Sequence, residues 1–208
     1  MQRFLVVCLM LVAAGPALAA DPERPDAYAG LWQTLRAGGH IIFIRHALTE
    51  PGIGDPPHFR LGDCRTQRNL SEEGRADARR IGAAFRHYQV PVSGVWSSRW
   101  CRCLETAQLA FAEATPAVML DSTFRDTTAE KQAKAQAVFA FVNDAGTGSG
   151  NVVFVTHAQN IQELTGVAPS SGEAVVTKWD GASGFRVVGR LPAPASMQPH
   201  GNGFRYEN

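Results

Sequence analysis

Two segments of the chain end in the same kind of polar cluster. Residues 40–47 read HIIFIRHA, and residues 151–158 read NVVFVTHA. Each is a run of β-branched and aromatic apolar residues, which is typical of a strand buried on both faces. Ligands of open α/β sheets bind at the carboxyl ends of the strands, so we expect Arg45, His46 and His157 to converge. One guanidinium and two imidazoles at one point predict a phosphate pocket.

A third cluster, residues 97–107 (SSRWCRCLETA), follows another predicted strand and opens a helix. Backbone N–H groups at the start of such a helix face an anion favourably. Transfer of a phosphoryl group needs arginines that hold its oxygens and a nucleophile such as a neutral histidine. It also needs an acid that protonates the leaving oxygen. The three clusters together supply most of these parts.

These segments resemble the motifs of the histidine phosphatase superfamily, in its phosphoglycerate-mutase-like branch. The family's Arg-His-Gly motif corresponds to residues 45–47, and its Leu-Thr-x-x-Gly block corresponds to residues 70–74 (LSEEG). Its Ser-x-x-x-x-Arg-x-x-x-Thr-Ala block matches residues 97–107, and its Ser/Thr-His-Gly motif matches residues 156–158. An Arg-His pair alone is common by chance, whereas four blocks in the family's order form a specific signal.

The resemblance implies that His46 is a nucleophile that forms a phosphohistidine. It also implies that Arg45, Arg102 and His157 hold the phosphoryl oxygens and stabilise the charge that develops during transfer. The spacing to the Thr-Ala pair favours Arg102 over Arg99 as the motif arginine.

Three further residues are candidates for substrate binding. Thr49 and Asn160 are candidates for polar contacts. Arg68, in the long segment after the first motif, is a candidate for contact with a second anionic group.

The chain departs from the family pattern at two places. Alanine follows each active-site histidine where the family has glycine, which is tolerable if the backbone φ there is negative. The mutase-like members carry a glutamate after the arginine-containing helix, but residues 120–126 (LDSTFRD) contain none. Asp126 is the predicted proton donor, with Asp121 as the alternative. Ala158 excludes the aspartate that the phytase-like branch has directly after its second histidine.

Strands and helices alternate along the chain. Predicted helices cover residues 26–37, 72–88 (with Ser71 as N-cap), 99–113, 128–143 and a short segment ending at 166; predicted strands cover 40–46, 91–96, 118–120, 151–156, 173–179 and 185–191. This alternation predicts an α/β fold, a three-layer sandwich with a mostly parallel central sheet and an antiparallel edge hairpin near the C-terminus. The irregular segment 47–69 is long for a compact domain, so we expect it to form a wall of the pocket.

The first twenty residues have the pattern of a secretory signal peptide. A short basic start precedes an apolar run and small residues at the cleavage site, and the run is too short for a comfortable membrane span. We therefore expect a signal peptide over 1–20, one domain over 21–195 and a loosely held tail over 196–208. The expected location is periplasmic or secreted, with no membrane span after cleavage.

Three cysteines remain after removal of the signal peptide. An oxidising compartment permits a disulfide between Cys64 and either Cys101 or Cys103, and three free thiols are the alternative. Cys101 and Cys103 are too close in sequence for the usual zinc pattern, so no metal or other cofactor is expected. The formal net charge of +1 gives no indication of nucleic-acid binding.

The predicted function is that of an exported, metal-independent phosphatase acting on small phosphate monoesters through a phosphohistidine on His46. The alternatives are a catalytically weak phosphate- or phosphosugar-binding module of the same fold, and a phosphohistidine phosphatase. A mutase is a further alternative, which export disfavours because glycolytic intermediates are cytosolic.

Overall fold

The computed structural model describes residues 27–146, 148–193, 197–200 and 203–206. The predicted signal peptide, residues 1–20, lies outside this part of the chain. Within the described ranges, no helix combines the length and the apolar character that a membrane span needs.

A six-stranded sheet with the order β3-β2-β4-β1-β5-β6 forms the centre of the molecule. Its first four strands in this order are mutually parallel, whereas β5 runs antiparallel to both β1 and β6. The strands are β1 (Ile41–Arg45), β2 (Val92–Ser97), β3 (Thr115–Pro116), β4 (Asn151–Thr156), β5 (Ala174–Trp179) and β6 (Phe185–Leu191). The predicted mostly parallel sheet with an antiparallel edge hairpin is confirmed.

In the described part of the chain, five α-helices connect and cover the strands. They are α1 (Ala29–Arg36), α2 (Glu72–His87), α3 (Cys101–Phe111), α4 (Thr128–Ala145) and α5 (Ala158–Thr165). Ser71 caps α2 as predicted, because its side chain accepts a hydrogen bond from the Gly74 N–H at 3.0 Å.

Different helices cover the two faces of β1. Ile42 and Ile44 pack in one apolar cluster with residues of α1, α2 and α3, including Trp32, Phe85 and Ala107. Because successive side chains of a strand point to opposite faces, this cluster covers one side of the sheet only.

Residues of α4 and α5 cover the opposite face. Phe43 of β1 and Phe154 of β4 pack there with Val138 and Ile161. The fold is therefore the predicted three-layer sandwich, and the continuous apolar sequences of β1 and β4 follow from burial on both sides.

Two segments differ in detail from the sequence-based expectation. Val118–Leu120, a predicted strand, forms a 3-10 helix, and the short edge strand lies just before it at Thr115–Pro116. Three residues are too few for periodicity to separate the two structures. Within the predicted tail, β7 (Met197–His200) and β8 (Gly203–Tyr206) pair antiparallel in a separate two-stranded sheet.

Cys64 is disulfide-bonded to Cys101, one of the two predicted pairings. Cys101 is the first residue of α3, so the bond fixes the long irregular segment to the helix that carries Arg102. Cys103 is free and buried, and its burial raises the pKa of the thiol to about 12. This buried thiol is therefore protonated at neutral pH.

Removal of the disulfide should lower thermal stability. The bond closes a loop with a sequence separation of 37 residues. The chain-entropy model assigns such a loop about 4 kcal/mol, or a melting temperature lower by about 10 °C. We expect this loss on thermal unfolding of a Cys64→Ser, Cys101→Ser double variant. A Cys103→Ala variant, which keeps the bond, should still respond to dithiothreitol; a melting temperature insensitive to reduction would contradict the prediction.

Candidate active site

The pairing of β1 with β4 brings the two motif histidines together. Arg45 lies opposite Thr156 in the parallel register, and the His46 N–H donates to the Thr156 carbonyl at 2.9 Å. The ring centroids of His46 and His157 are 5.5 Å apart. The identical position of the two histidines at the ends of neighbouring strands is therefore the cause of their proximity.

A cavity of about 440 Å³ opens at these strand ends. It is lined by six of the predicted site residues: Arg45, His46, Arg68, Arg102, Asp126 and His157. The structure thus brings the predicted nucleophile, the predicted phosphate ligands and the predicted acid to one cavity.

Thr49 and Asn160, both predicted substrate contacts, do not line this cavity. Thr49 pairs with Leu70 in an isolated β-bridge. Asn160 is buried, and its side chain donates to the Asp121 carbonyl at 2.8 Å and accepts from the Thr123 N–H at 3.3 Å. Asn160 therefore fixes the segment that leads to Asp126.

The His46 ring is held in one tautomer. Its Nδ1 lies 2.8 Å from the Ala47 carbonyl oxygen, which only accepts hydrogen bonds, so Nδ1 carries the proton. Burial, together with the neighbouring Arg102 and Arg45, lowers the pKa of His46 to about 3. The ring is therefore neutral at physiological pH, and its Nε2 has a free electron pair for attack.

His157 is oriented by a chain of hydrogen bonds. An Arg102 Nη2 donor lies 3.4 Å from its Nδ1, and arginine cannot accept, so Nε2 carries the proton. Nε2 is 2.9 Å from the Ser98 hydroxyl, which lies 3.5 Å from an Asp121 carboxylate oxygen. Burial lowers the pKa of His157 well below its usual value, and the positive charge of Arg102 adds to this effect. Asp121, the alternative acid, is buried, binds Arg99 and does not line the cavity.

Four arginines line the cavity: Arg45, Arg68, Arg102 and Arg125. The Nε atoms of Arg45, Arg68 and Arg102 are all buried and have no protein partner. Burial and the mutual proximity of these groups lower the pKa of Arg45 and of Arg68. Several guanidinium groups that line one cavity indicate an anionic ligand.

Asp55 is a site residue that the sequence reasoning missed. Its carboxylate accepts from Arg102 Nη1 at 2.8 Å, from the Arg68 N–H at 3.0 Å and from Trp100 Nε1 at 2.9 Å. Burial opposes the charged form, but the Arg102 charge and these hydrogen bonds outweigh it and lower the pKa of Asp55. With both histidines neutral, the four arginines and two carboxylates that line the cavity leave a net charge of about +2, which matches a phosphate dianion.

Replacement of Asp55 should reveal that this residue contributes to catalysis by positioning Arg102. We expect Asp55→Asn to lower kcat about tenfold on alkyl and aryl phosphates alike, since a misplaced Arg102 stabilises every transition state less. KM should not rise, because the site gains net positive charge. Steady-state kinetics on both substrates check this. Asp63→Asn is the control, as Asp63 pairs with Arg60 and Arg65 in the same segment. A rise in KM with kcat unchanged would contradict the positioning role.

Helix α3 and the segment after His46 are joined by Thr106. The Thr106 hydroxyl accepts from the Ala47 N–H at 3.1 Å and donates to the Arg102 carbonyl at 2.6 Å. This explains why a threonine follows the motif arginine by four residues. Gly74 of α2 approaches the same segment so closely that a Cβ would lie 1.9 Å from the Leu48 carbonyl oxygen.

Alanine fits at both positions where the resemblance implies glycine. Neither Ala47 nor Ala158 is among the described residues with positive φ. Only a positive φ would favour glycine there, so the substitution leaves the backbone of the site intact.

Two carboxylates line the cavity, and both are ion-paired. Asp126 binds Lys134 Nζ at 2.6 Å, and Asp55 binds Arg102. In the part of the chain that the structure describes, no group of three or more His, Cys, Asp and Glu side chains forms a candidate metal site.

Comparison with known proteins agrees with this architecture. The sequence model of the histidine phosphatase superfamily (branch 1) matches residues 41–135, which contain the first three motif blocks. No curated protein matches the chain in sequence.

Several solved structures have a similar fold. An alpha-ribazole phosphatase from Shigella flexneri is 14% identical with a TM-score of 0.54, and the match covers 81% of this chain and 100% of that chain. A phosphoserine phosphatase from Entamoeba histolytica, in complex with 3-phosphoglyceric acid, is 13% identical with a TM-score of 0.53, covering 74% and 97%. The protein histidine phosphatase SixA, complexed with tungstate, is 14% identical with a TM-score of 0.53, covering 75% and 97%. At these identities the likeness concerns the fold.

Proposed function

We propose that this chain, whose residues 41–135 match the model of the histidine phosphatase superfamily (branch 1), is a member of that family and hydrolyses phosphate monoesters through a phosphohistidine on His46. The observation that carries this proposal is the state of His46. Its Nδ1–H is fixed on the Ala47 carbonyl and its Nε2 is unprotonated, in a cavity that is lined by four arginines.

In the first step, the His46 Nε2 electron pair attacks phosphorus. The N–P bond forms while the bond between phosphorus and the ester oxygen breaks, and the ester oxygen leaves as an alcohol after it receives a proton. Arg45, Arg68 and Arg102 stabilise the negative charge on the phosphoryl oxygens. Hydrogen bonds to these oxygens keep the group in line for attack.

In the second step, a water molecule attacks the phosphohistidine. The N–P bond breaks, the electron pair returns to Nε2, and inorganic phosphate leaves. The group that protonated the alcohol accepts the proton of the water, so the enzyme returns to its starting state.

Asp126 is our proposed proton donor, because it lines the cavity and its partner is Lys134 rather than a phosphate-binding arginine. We expect Asp126→Asn to lower kcat/KM on alkyl phosphates about 100-fold and on aryl phosphates less than about tenfold, since phenolate leaves without much protonation. Initial rates on one substrate of each kind measure the difference. Equal losses on both substrates would remove Asp126 as the acid.

A second candidate function is hydrolysis of phosphohistidine. The pairing of both cavity carboxylates with cations favours it, because a leaving imidazole nitrogen depends less on an acid than an alkoxide does. The similar fold of the protein histidine phosphatase SixA is consistent with this candidate function. Release of phosphate from a phosphohistidine peptide much faster than from any ester would establish this candidate.

We further propose that the protein is exported and acts in the periplasm or outside the cell. The signal-peptide pattern of residues 1–20 supports this, and so does the Cys64–Cys101 disulfide, because such bonds persist in oxidising compartments. N-terminal sequencing of the protein from cell fractions tests it: a chain beginning near residue 20 or 21 is expected, and an intact Met1 in the cytoplasm would contradict it.

The test of the proposed activity is phosphate release from one aryl phosphate and a panel of sugar phosphates between about pH 4 and about pH 8, with a chelator present. We expect the chelator to leave the rate of phosphate release unchanged. A protein that binds phosphate but releases none from any substrate would be the binding module instead.

A further inference from the structure

Beside the phosphoryl-binding residues, one wall of the cavity is apolar. It consists of Ile53, Phe59, Trp100 and Phe124, which we call the apolar wall. Ile53 is 95% exposed and Phe124 is 54% exposed. Exposed apolar side chains gathered at the mouth of a cavity mark a ligand-binding surface more often than a chance arrangement.

The apolar wall is continuous with the phosphoryl site. The Trp100 ring is 5.6 Å from the Phe59 ring and also 5.6 Å from the His157 ring, centroid to centroid. Phe124 approaches the residue that follows Ile53, since a Cβ built on Gly54 would lie 3.9 Å from Phe124 Cε1. A group attached to a phosphate near His157 therefore lies within reach of aromatic rings.

The apolar wall offers few partners for hydroxyl groups. Its single side-chain hydrogen-bonding group is Trp100 Nε1, and this already donates to Asp55. Hydroxyl groups that lie against these four side chains would lose water without gaining a partner from them, which costs free energy for each hydroxyl. Ser122, Arg125 and Gln159 are the other polar side chains nearby, and the Arg125 guanidinium lies over the Phe59 ring, 5.7 Å from its centroid. An aromatic ring loses no hydrogen bond and gains ring contacts.

The available space permits such a group. The cavity of about 440 Å³ is in the range of small-molecule sites and exceeds what a phosphate alone requires. We propose that the apolar wall is a leaving-group subsite, and that the substrates are phosphate monoesters of alcohols that carry an aromatic ring. This inference rests on the proposed phosphatase function and specifies its substrate class.

A matched pair of substrates tests the subsite. Phenethyl phosphate and ethyl phosphate are both alkyl esters with leaving groups of similar reactivity, so the ratio of their kcat/KM values reports contact with the ring. We expect phenethyl phosphate to be preferred at least about tenfold by the wild-type protein. Phe124→Ala should reduce this ratio about fivefold, and Val118→Ala should leave it unchanged. Val118 is also exposed, at 58%, but does not line the cavity.

The possible results distinguish a failure of the subsite proposal from a failure of the phosphatase proposal. Equal kcat/KM values for the two esters, or a ratio unaffected by Phe124→Ala, would overturn the subsite while leaving the phosphatase intact. If neither ester releases phosphate, calorimetric dissociation constants of both esters on the His46→Ala variant still decide: tighter binding of phenethyl phosphate that needs Phe124 supports the subsite, and equal binding overturns it.

Discussion

A His46→Ala variant should lose at least about 1,000-fold in phosphate release, because the reaction loses the nucleophile on which the covalent intermediate forms. The wild-type protein, mixed rapidly with a labelled ester and quenched in alkali, should carry phosphate on the chain that acid removes. The variant should carry none. Its ability to bind inorganic phosphate should survive, since the four arginines that line the cavity are unchanged.

The control variant is His87→Ala, whose side chain lies on the surface in the last turn of α2. It should release phosphate at the wild-type rate. Thermal unfolding of both variants separates a chemical effect from a folding defect, because His46 is buried and only 4% exposed. Phosphate release by His46→Ala within a few fold of the wild type would refute the phosphohistidine mechanism.

The parts of the site that lie at strand ends could be predicted from the sequence. The apolar runs of β1 and β4 indicate burial on both faces, and residues at the carboxyl ends of adjacent parallel strands must meet. Arg45, His46 and His157 were found in this way. The choice of Arg102 depended on the resemblance to the family motif, in which the arginine precedes a threonine by four residues; the structure explains this spacing by the hydrogen bonds of the Thr106 hydroxyl.

The contribution of the long irregular segment could not be predicted in the same way. Asp55 lies in a segment without the periodic apolar pattern of a helix or strand. Its partners Arg102 and Trp100 are more than 40 residues away in sequence. Its position depends on tertiary contacts, among them the Cys64–Cys101 disulfide. The sequence indicated only that so long a segment in a compact domain is functional. Asn160 is the opposite case. It is a polar residue close to His157 in sequence and a candidate substrate contact, but its side chain fixes the backbone near Asp121.

An Arg102→Lys variant should lose about 100- to 1,000-fold in kcat/KM despite its retained charge. Arg102 uses separate nitrogens for separate partners: Nη1 binds Asp55, Nη2 approaches His157 Nδ1, and Nε is buried without a protein partner. A lysine has one nitrogen, so it cannot hold Asp55 and a phosphoryl oxygen in the same planar arrangement. The loss should affect alkyl and aryl phosphates equally, because the guanidinium acts on the phosphoryl oxygens rather than on the leaving group.

Arg99→Lys is the matched control, three residues earlier in the same cluster. Arg99 binds Asp121, its side chain is 42% exposed, and it does not line the cavity. Its replacement by lysine should change kcat/KM less than about threefold, in keeping with a half-exposed ion pair. Equal losses in the two variants would mean that the start of α3 acts through its general positive charge. A large loss confined to Arg102→Lys would instead establish that the geometry of one guanidinium, fixed by Asp55, sets the orientation of the phosphoryl group.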